Sequence, residues 1–274
     1  MKDNGAQRLS RSYLLPVEDT EFLLRDEMRS IRFALEYSKA DLSLRDHGIE
    51  STVVVFGSAR IPSPEQAEYA VKTAKGREEK KAAQKKLKMS HWYQEARSFA
   101  RIVSERGGAL ASNEKQKQNV IATGGGPGIM EAANRGAHDV GAPTIGFNIV
   151  LPHEQEPNSF SSPDLTFRFH YFAMRKMHLA MRAHALAIFP GGFGTLDEMF
   201  EILTLEQTKK APMIPVVLFG RDYWPKLINF DTMVDWGMVN RADLDLFEIV
   251  DTAEEAWSAL IRHGLKVENP FIGA

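Results

Sequence analysis

The chain has 274 residues, with 34 Lys and Arg against 36 Asp and Glu, a formal net charge of −2. That length accommodates one large α/β domain with a substantial core, and the near-neutral balance gives no global electrostatic reason to expect nucleic acid or an anionic membrane as partner. The absence of cysteine excludes a disulfide framework, thiolate catalysis and Cys-ligated zinc. No apolar run approaches the roughly 18 residues of a membrane span and the first residues carry no signal-peptide pattern, so a soluble, cytoplasmic protein is expected.

Residues 1 to about 16 are polar and expected to be poorly ordered. From Glu18 to about Leu44, the spacing of Leu24, Met28, Ile31 and Leu35 predicts an amphipathic helix that needs a partner surface, either the main domain or a second subunit. This organises the chain as an N-terminal tail and helix over 1–48 and a nucleotide-binding domain over 49–274. Ser51 to Phe56 is a β-branched run suited to a strand buried on both faces. Gly57 and Ser58 follow at its carboxyl end, where Ser58 could bond a phosphate or a ribose hydroxyl and Arg60 an anion. Residues 65 to 106 read as helical and carry a dense run of lysines. Glu78, Glu79 and Glu95 interleave with them, which favours a solvated helix face over a nucleic-acid patch. Ser112 to Gln118 reads as a surface loop.

Val120 to Thr123 is a predicted strand, followed by Gly124-Gly125-Gly126-Pro127-Gly128 and a helical pattern from Ile129. Thr144 to Ile149 and Leu165 to Phe169 read as further strands, separated by an irregular loop from Leu151 to Asn158. A helix is predicted over Tyr171 to Ala185, carrying Arg175, Lys176, His178, Arg182 and His184. His178 and His184 are six residues apart and do not share a helix face, so no metal site is expected.

The second glycine cluster is Gly191, Gly192 and Gly194, between a strand ending at Phe189 and a helix predicted from Thr195 to about Lys210. Loops without Cβ atoms admit an anion to backbone N–H groups, and a helix N-terminus adds partial positive charge at the same spot. Thr195 could cap that helix. Thr195-x-x-Glu198 also fits a capping box, in which Glu198 merely satisfies a backbone donor. Strands near Ile214 to Phe219 and Phe247 to Val250 and a closing helix, Ala253 to His263, complete an alternation that predicts a doubly wound, mostly parallel, Rossmann-like α/β sheet with an extra N-terminal helix. Its two glycine loops would converge on one crevice.

Neither loop has the spacing of a dinucleotide fingerprint or of G-x-x-x-x-G-K-[ST], and Gly57-Ser58 lies outside G-x-S-x-G, which leaves a mononucleotide as the expected ligand. Gly124 to Glu131, with Pro190-Gly191-Gly192-Phe193-Gly194-Thr195-Leu196-Asp197-Glu198, resembles the paired motifs of the LONELY GUY (LOG) family, some of whose members carry the label lysine decarboxylase. The resemblance covers roughly Ser51 to Val250. It implies a phosphoribohydrolase that releases the base of a cytokinin nucleotide or of AMP without a cofactor, acting as a homodimer or higher homo-oligomer. By the same resemblance Arg175 and Glu198 are the catalytic pair. Lys176 completes an Arg-Lys pair, and Glu154 contacts substrate. The substrate-binding set is then Gly57, Ser58, Gly124, Gly125, Gly126, Gly128, Glu154, Lys176, Gly191, Gly192, Gly194 and Thr195. The alternative is a non-catalytic sensor that holds the mononucleotide intact. A pyridoxal-phosphate decarboxylase is disfavoured because the Ser-x-His-Lys context expected of its Schiff-base lysine is missing.

Overall fold

A computed structural model describes residues 3–111, 116–151 and 156–267. Seven strands form one sheet: β1 (Thr52–Phe56), β2 (Val120–Thr123), β3 (Thr144–Ile149), β4 (Thr166–Phe169), β5 (Ala183–Ile188), β6 (Val216–Phe219) and β7 (Glu248–Val250). Their order is β4-β3-β2-β1-β5-β6-β7 and every neighbouring pair is parallel. The expected doubly wound α/β architecture is therefore present. Every residue of β1 is buried, as its unbroken β-branched run requires when helices cover both faces of a parallel sheet.

The chain leaves β1 in one direction to build β2, β3 and β4, and returns to the other side of β1 to build β5, β6 and β7. The reversal lies between β1 and β5, so a ligand crevice is expected beyond the carboxyl ends of these two strands. Helix Gly76–Arg106 packs along Ile129–His138 and along Ala253–Arg262, while helix Arg29–Asp46 packs along Phe172–Met181. Stacking of Phe189 on Phe219, with ring centroids 3.9 Å apart, joins the ends of β5 and β6 within the core.

Several boundaries differ from the sequence expectation. The first sixteen residues include a short helix, Gly5–Leu9, none of whose residues is buried. The continuous N-terminal helix is instead Thr20–Leu24, a 3-10 turn Asp26–Met28 and helix Arg29–Asp46. Leu24, Ile31 and Leu35 of its apolar stripe are exposed. Residues 65 to 106 are two helices, Pro64–Thr73 and Gly76–Arg106, because Ala74 and Lys75 take extended backbone. The helix carrying Arg175 ends at Met181, so Ala183 and His184 belong to β5. Of the loop Ser112 to Gln118, residues 112–115 lie outside the described residues.

Candidate functional site

Three loops meet at the switch point through backbone hydrogen bonds. Phe189 N–H donates to the Phe56 carbonyl (2.8 Å), Ser58 N–H to the Pro190 carbonyl (3.1 Å), and Ile129 N–H to the Ser58 carbonyl (3.2 Å). The segment Gly57-Ser58 is thus held between the two glycine clusters. Gly128 has φ of 70° and lies so close to the Ser58 carbonyl that any Cβ there would collide with it. Gly57 faces the Ile129 side chain in the same way. Ser58 is half-buried, and its hydroxyl oxygen accepts from the Arg60 N–H at 3.1 Å.

The loop after β2 is shaped by side chains behind it. Thr123 Oγ1 accepts from Gly125 N–H (2.9 Å), and the Gly125 carbonyl accepts from Asn158 N–H (2.8 Å) and Asn148 Nδ2 (3.2 Å). Asn158 Nδ2 also donates to the Gly126 carbonyl (3.0 Å) and to Asn134 Oδ1 (2.9 Å). Asn134 accepts from Thr123 Oγ1 at 2.8 Å and donates to Thr144 Oγ1 at 2.7 Å. None of these three asparagines stood out in the sequence. The available signal was the placement of Asn148 at the end of a strand and of Asn158 in an irregular loop, both next to the ligand face.

After β5, helix Phe193–Gln207 has Gly192 as its N-cap residue. Thr195 is therefore the third helical residue rather than a cap, and Asp197 and Glu198 fall past the first turn. Thr195 is buried, with Oγ1 in the space that a Gly191 Cβ would need. Tyr223 Oη donates to the Gly191 carbonyl at 2.7 Å and fixes the loop from outside. Cβ positions built at Gly192 and Gly194 meet nothing within 4 Å, so the approach to the helix N-terminus is unobstructed. The first N–H groups of a helix have no intrahelical acceptor, and here they face an exposed glycine surface.

The capping-box reading of Glu198 does not hold. Its Oε1 lies 3.3 Å from Arg175 Nη2, with side-chain exposures of 7% and 17%. Arg175 also reaches toward the other cluster, since Nη1 lies 3.9 Å from the Cβ position of Gly124. Its guanidinium carbon is 5.2 Å from the centre of the Phe172 ring, and its buried Nε has no hydrogen-bond partner. One cation thus spans the gap between the glycine loops and touches a buried carboxylate. Burial raises the Glu198 pKa above its ordinary value, and the opposing pull of Lys176 and Arg175 does not cancel that effect. The field of Glu201 and Asp197 reinforces the rise.

Lys176 sits beside the pair but does not bond to Glu198. Its Nζ contacts Asp197 Oδ2 at 2.7 Å and Glu201 Oε2 at 2.9 Å. Burial works against the ammonium, but these two hydrogen bonds together with the negative charges of Glu198 and Glu201 outweigh it and raise the Lys176 pKa. Arg175, Glu198, Gly124 and the cluster from Gly191 to Thr195 therefore converge, with Gly57, Ser58 and Gly128 packed beneath them. Glu154 lies outside the described residues. A depression of about 540 Å³ lies on the outer face of helix Phe193–Gln207, lined by Phe193, Leu196, Phe200 and Lys176. It flanks the glycine crevice, and the crevice is where the convergent polar groups lie. Among the described residues, no group of three or more His, Asp or Glu could hold a metal ion, and no helix is long and apolar enough to cross a membrane.

Residues 130–260 match the family model described as possible lysine decarboxylase. A probable cytokinin riboside 5′-monophosphate phosphoribohydrolase of Oryza sativa subsp. japonica is 28% identical over 167 residues, covering 60% of this chain and 70% of the relative. A cytokinin riboside 5′-monophosphate phosphoribohydrolase of Arabidopsis thaliana is 28% identical over 149 residues, covering 52% of this chain and 67% of the relative. Among solved structures, the Moco carrier protein from Chlamydomonas reinhardtii aligns at 19% identity and a TM-score of 0.46, over 78% of this chain and 97% of that one.

Proposed function

With the resemblance to the LONELY GUY (LOG) family borne out by the matched model and the named relatives, we propose that this chain hydrolyses the N-glycosidic bond of a nucleoside 5′-monophosphate. The products are the free base and ribose 5-phosphate, and the substrate is a cytokinin riboside monophosphate or AMP. The observation that carries this reading is the buried Glu198 carboxylate held 3.3 Å from Arg175 between two glycine loops at the switch point.

Cleavage of an N-glycosidic bond develops positive charge on the ribose, at C1′ and the ring oxygen. A carboxylate in a site of low polarity stabilises that charge far better than one in water, and it can orient the attacking water. Glu198 takes this role in its ionised form. Arg175 holds the phosphate or ribose and assists the departing base, fixing the scissile bond against the carboxylate. The open N-terminus at Gly192 to Thr195 and the cluster from Gly124 to Gly128 receive the phosphate through backbone donors. Lys176, tied to Asp197 and Glu201, contributes its field to Glu198. The same ties leave Lys176 poorly suited to the Schiff base that a pyridoxal-phosphate decarboxylase would require.

In this reading residues 49–274 form the catalytic domain and Glu154 adds a contact to the substrate. The protein works in the cytoplasm as a homodimer or higher homo-oligomer. Phe193, 93% exposed beside the half-buried Leu196 and Phe200, supports the last point. The test is incubation with AMP and with isopentenyladenosine monophosphate, followed by chromatography for free base and ribose 5-phosphate. Release of both products is expected. Tight binding of intact AMP without release would instead identify a sensor, and neither binding nor release would remove the nucleotide reading altogether.

A further inference from the structure

Helix Phe172–Met181 carries Arg175 but lacks the usual means of starting a helix. Its N-cap residue is Tyr171, which makes no side-chain capping bond, and its first turn contains no acidic residue. The N-cap residue and the one before it are instead held by a carboxylate on another helix. Glu36, on Arg29–Asp46, accepts the backbone N–H of His170 through Oε1 (2.8 Å) and that of Tyr171 through Oε2 (3.2 Å). A carboxylate placed at a helix start satisfies orphan donors and complements the helix dipole.

Tyr171 is fixed on its remaining sides as well. Its ring meets Phe33 edge-on at 4.3 Å, and its hydroxyl accepts from Arg32 Nε at 3.0 Å. Its carbonyl in turn accepts the backbone N–H of Arg175 at 3.2 Å, the first turn of the helix. A continuous set of contacts therefore runs from Glu36 through the Tyr171 peptide to the backbone of Arg175. At the other end of the same helix Arg182 Nη2 meets Asp41 Oδ1 at 2.6 Å, with both side chains largely buried, so Arg29–Asp46 holds both ends. This helix precedes the residues matched by the family model.

We propose that Glu36 is a positioning residue for the reaction, acting through Tyr171 to hold the Arg175 guanidinium against Glu198. The inference rests on the phosphoribohydrolase reading for its kinetic arm only. A misplacement of about 1 Å at a reacting group costs on the order of a hundredfold in rate, so Glu36→Ala lowers kcat/KM for AMP or isopentenyladenosine monophosphate by about tenfold to a hundredfold. Glu198 is surrounded by Arg175, Lys176, Asp197 and Glu201. Withdrawal of the guanidinium from that group moves the Glu198 titration to higher pH, measured by carbon-13 NMR of its carboxyl with Glu198→Gln for assignment.

A structural role alone would move neither readout. Arg97→Ala, which removes a surface pair with Asp139 on a different helix, serves as the control that lowers stability without altering rate or titration. Glu36→Gln, which keeps one acceptor oxygen for the His170 and Tyr171 N–H groups and replaces the other with a donor, gives a fall of about twofold to fivefold and answers the question if Glu36→Ala does not fold. A Glu36→Ala protein with wild-type kcat/KM and an unmoved Glu198 titration would overturn the proposal, as would a Glu36→Gln protein with both readouts at wild-type values if Glu36→Ala does not fold. If the wild type releases no base from either nucleotide, the phosphoribohydrolase reading fails and the carboxyl titration alone decides the positioning role.

Discussion

Glu206→Gln should stabilise this protein at alkaline pH and do little in acid. Glu206 lies in the last turn of helix Phe193–Gln207 and is only 3% exposed. One carboxylate oxygen accepts from Ile214 N–H at 3.1 Å, and the other is buried without a partner. Burial pushes its pKa from the ordinary 4.5 up to about 7, against the smaller opposing pull of the Ile214 hydrogen bond. Each tenfold change in proton affinity is worth about 1.4 kcal/mol, so this rise corresponds to about 3 kcal/mol. Because the folded-state pKa is the raised one, the native protein binds more protons than the unfolded chain between the two values. Stability is therefore complete below 4.5 and is lost as pH rises through about 7. Glutamine reproduces the neutral acid and keeps an oxygen for Ile214, so the variant escapes that loss. Urea unfolding of both proteins at roughly pH 4 and pH 8 should show a stability gain that grows by about 3 kcal/mol between them. A gain of equal size at both pH values, or none at pH 8, would refute the assignment of an ionised and desolvated Glu206.

Glu198→Gln should lower base release by about a hundredfold or more while leaving AMP binding by calorimetry and the fold by circular dichroism intact. The working form of Glu198 is the ionised carboxylate and burial raises its pKa. Activity should therefore decline on the acid side at a higher pH than for a water-exposed glutamate, and Arg175→Ala should move that limb higher still in a kcat/KM profile. Gly191→Ala and Gly192→Ala should separate structure from function. A Cβ at Gly191 collides with Thr195, so that variant should lose about 1–3 kcal/mol in urea unfolding. A Cβ at Gly192 meets open space, so that protein should keep its stability and show a raised KM for the nucleotide.

The strands and the two glycine clusters were legible in the sequence because each is a local property. A β-branched run such as Thr52–Phe56 and a loop stripped of Cβ atoms require little tertiary context. Helix starts were less legible. Thr195 followed by Glu198 satisfies the capping pattern, yet the chain begins the helix at Phe193 and turns Glu198 toward a cation 23 residues earlier. The choice was decided by long-range charge pairing in a buried setting, which short-range spacing does not encode. The break at Ala74 and Lys75 was hidden for a related reason, since neither residue is a strong helix breaker. Glu36, Asn148 and Asn158 remained invisible because each bonds backbone groups remote in sequence, 134 residues away in the case of His170, and Asn134 because it joins side chains of three other segments. A backbone acceptor or donor has no residue-type signature.

The polar chain from Thr144 through Asn134 and Asn158 to the carbonyls of Gly125 and Gly126 affects how binding is driven. A glycine-rich loop of this kind would normally sample many backbone conformations and lose that freedom when a phosphate arrives. Here the restriction is imposed by the amide groups of buried Asn134 and half-buried Asn158 during folding, before any nucleotide is present. Association with the phosphate then draws on a loop whose entropy is already low, and the mobility that remains to be lost belongs to the nucleotide itself.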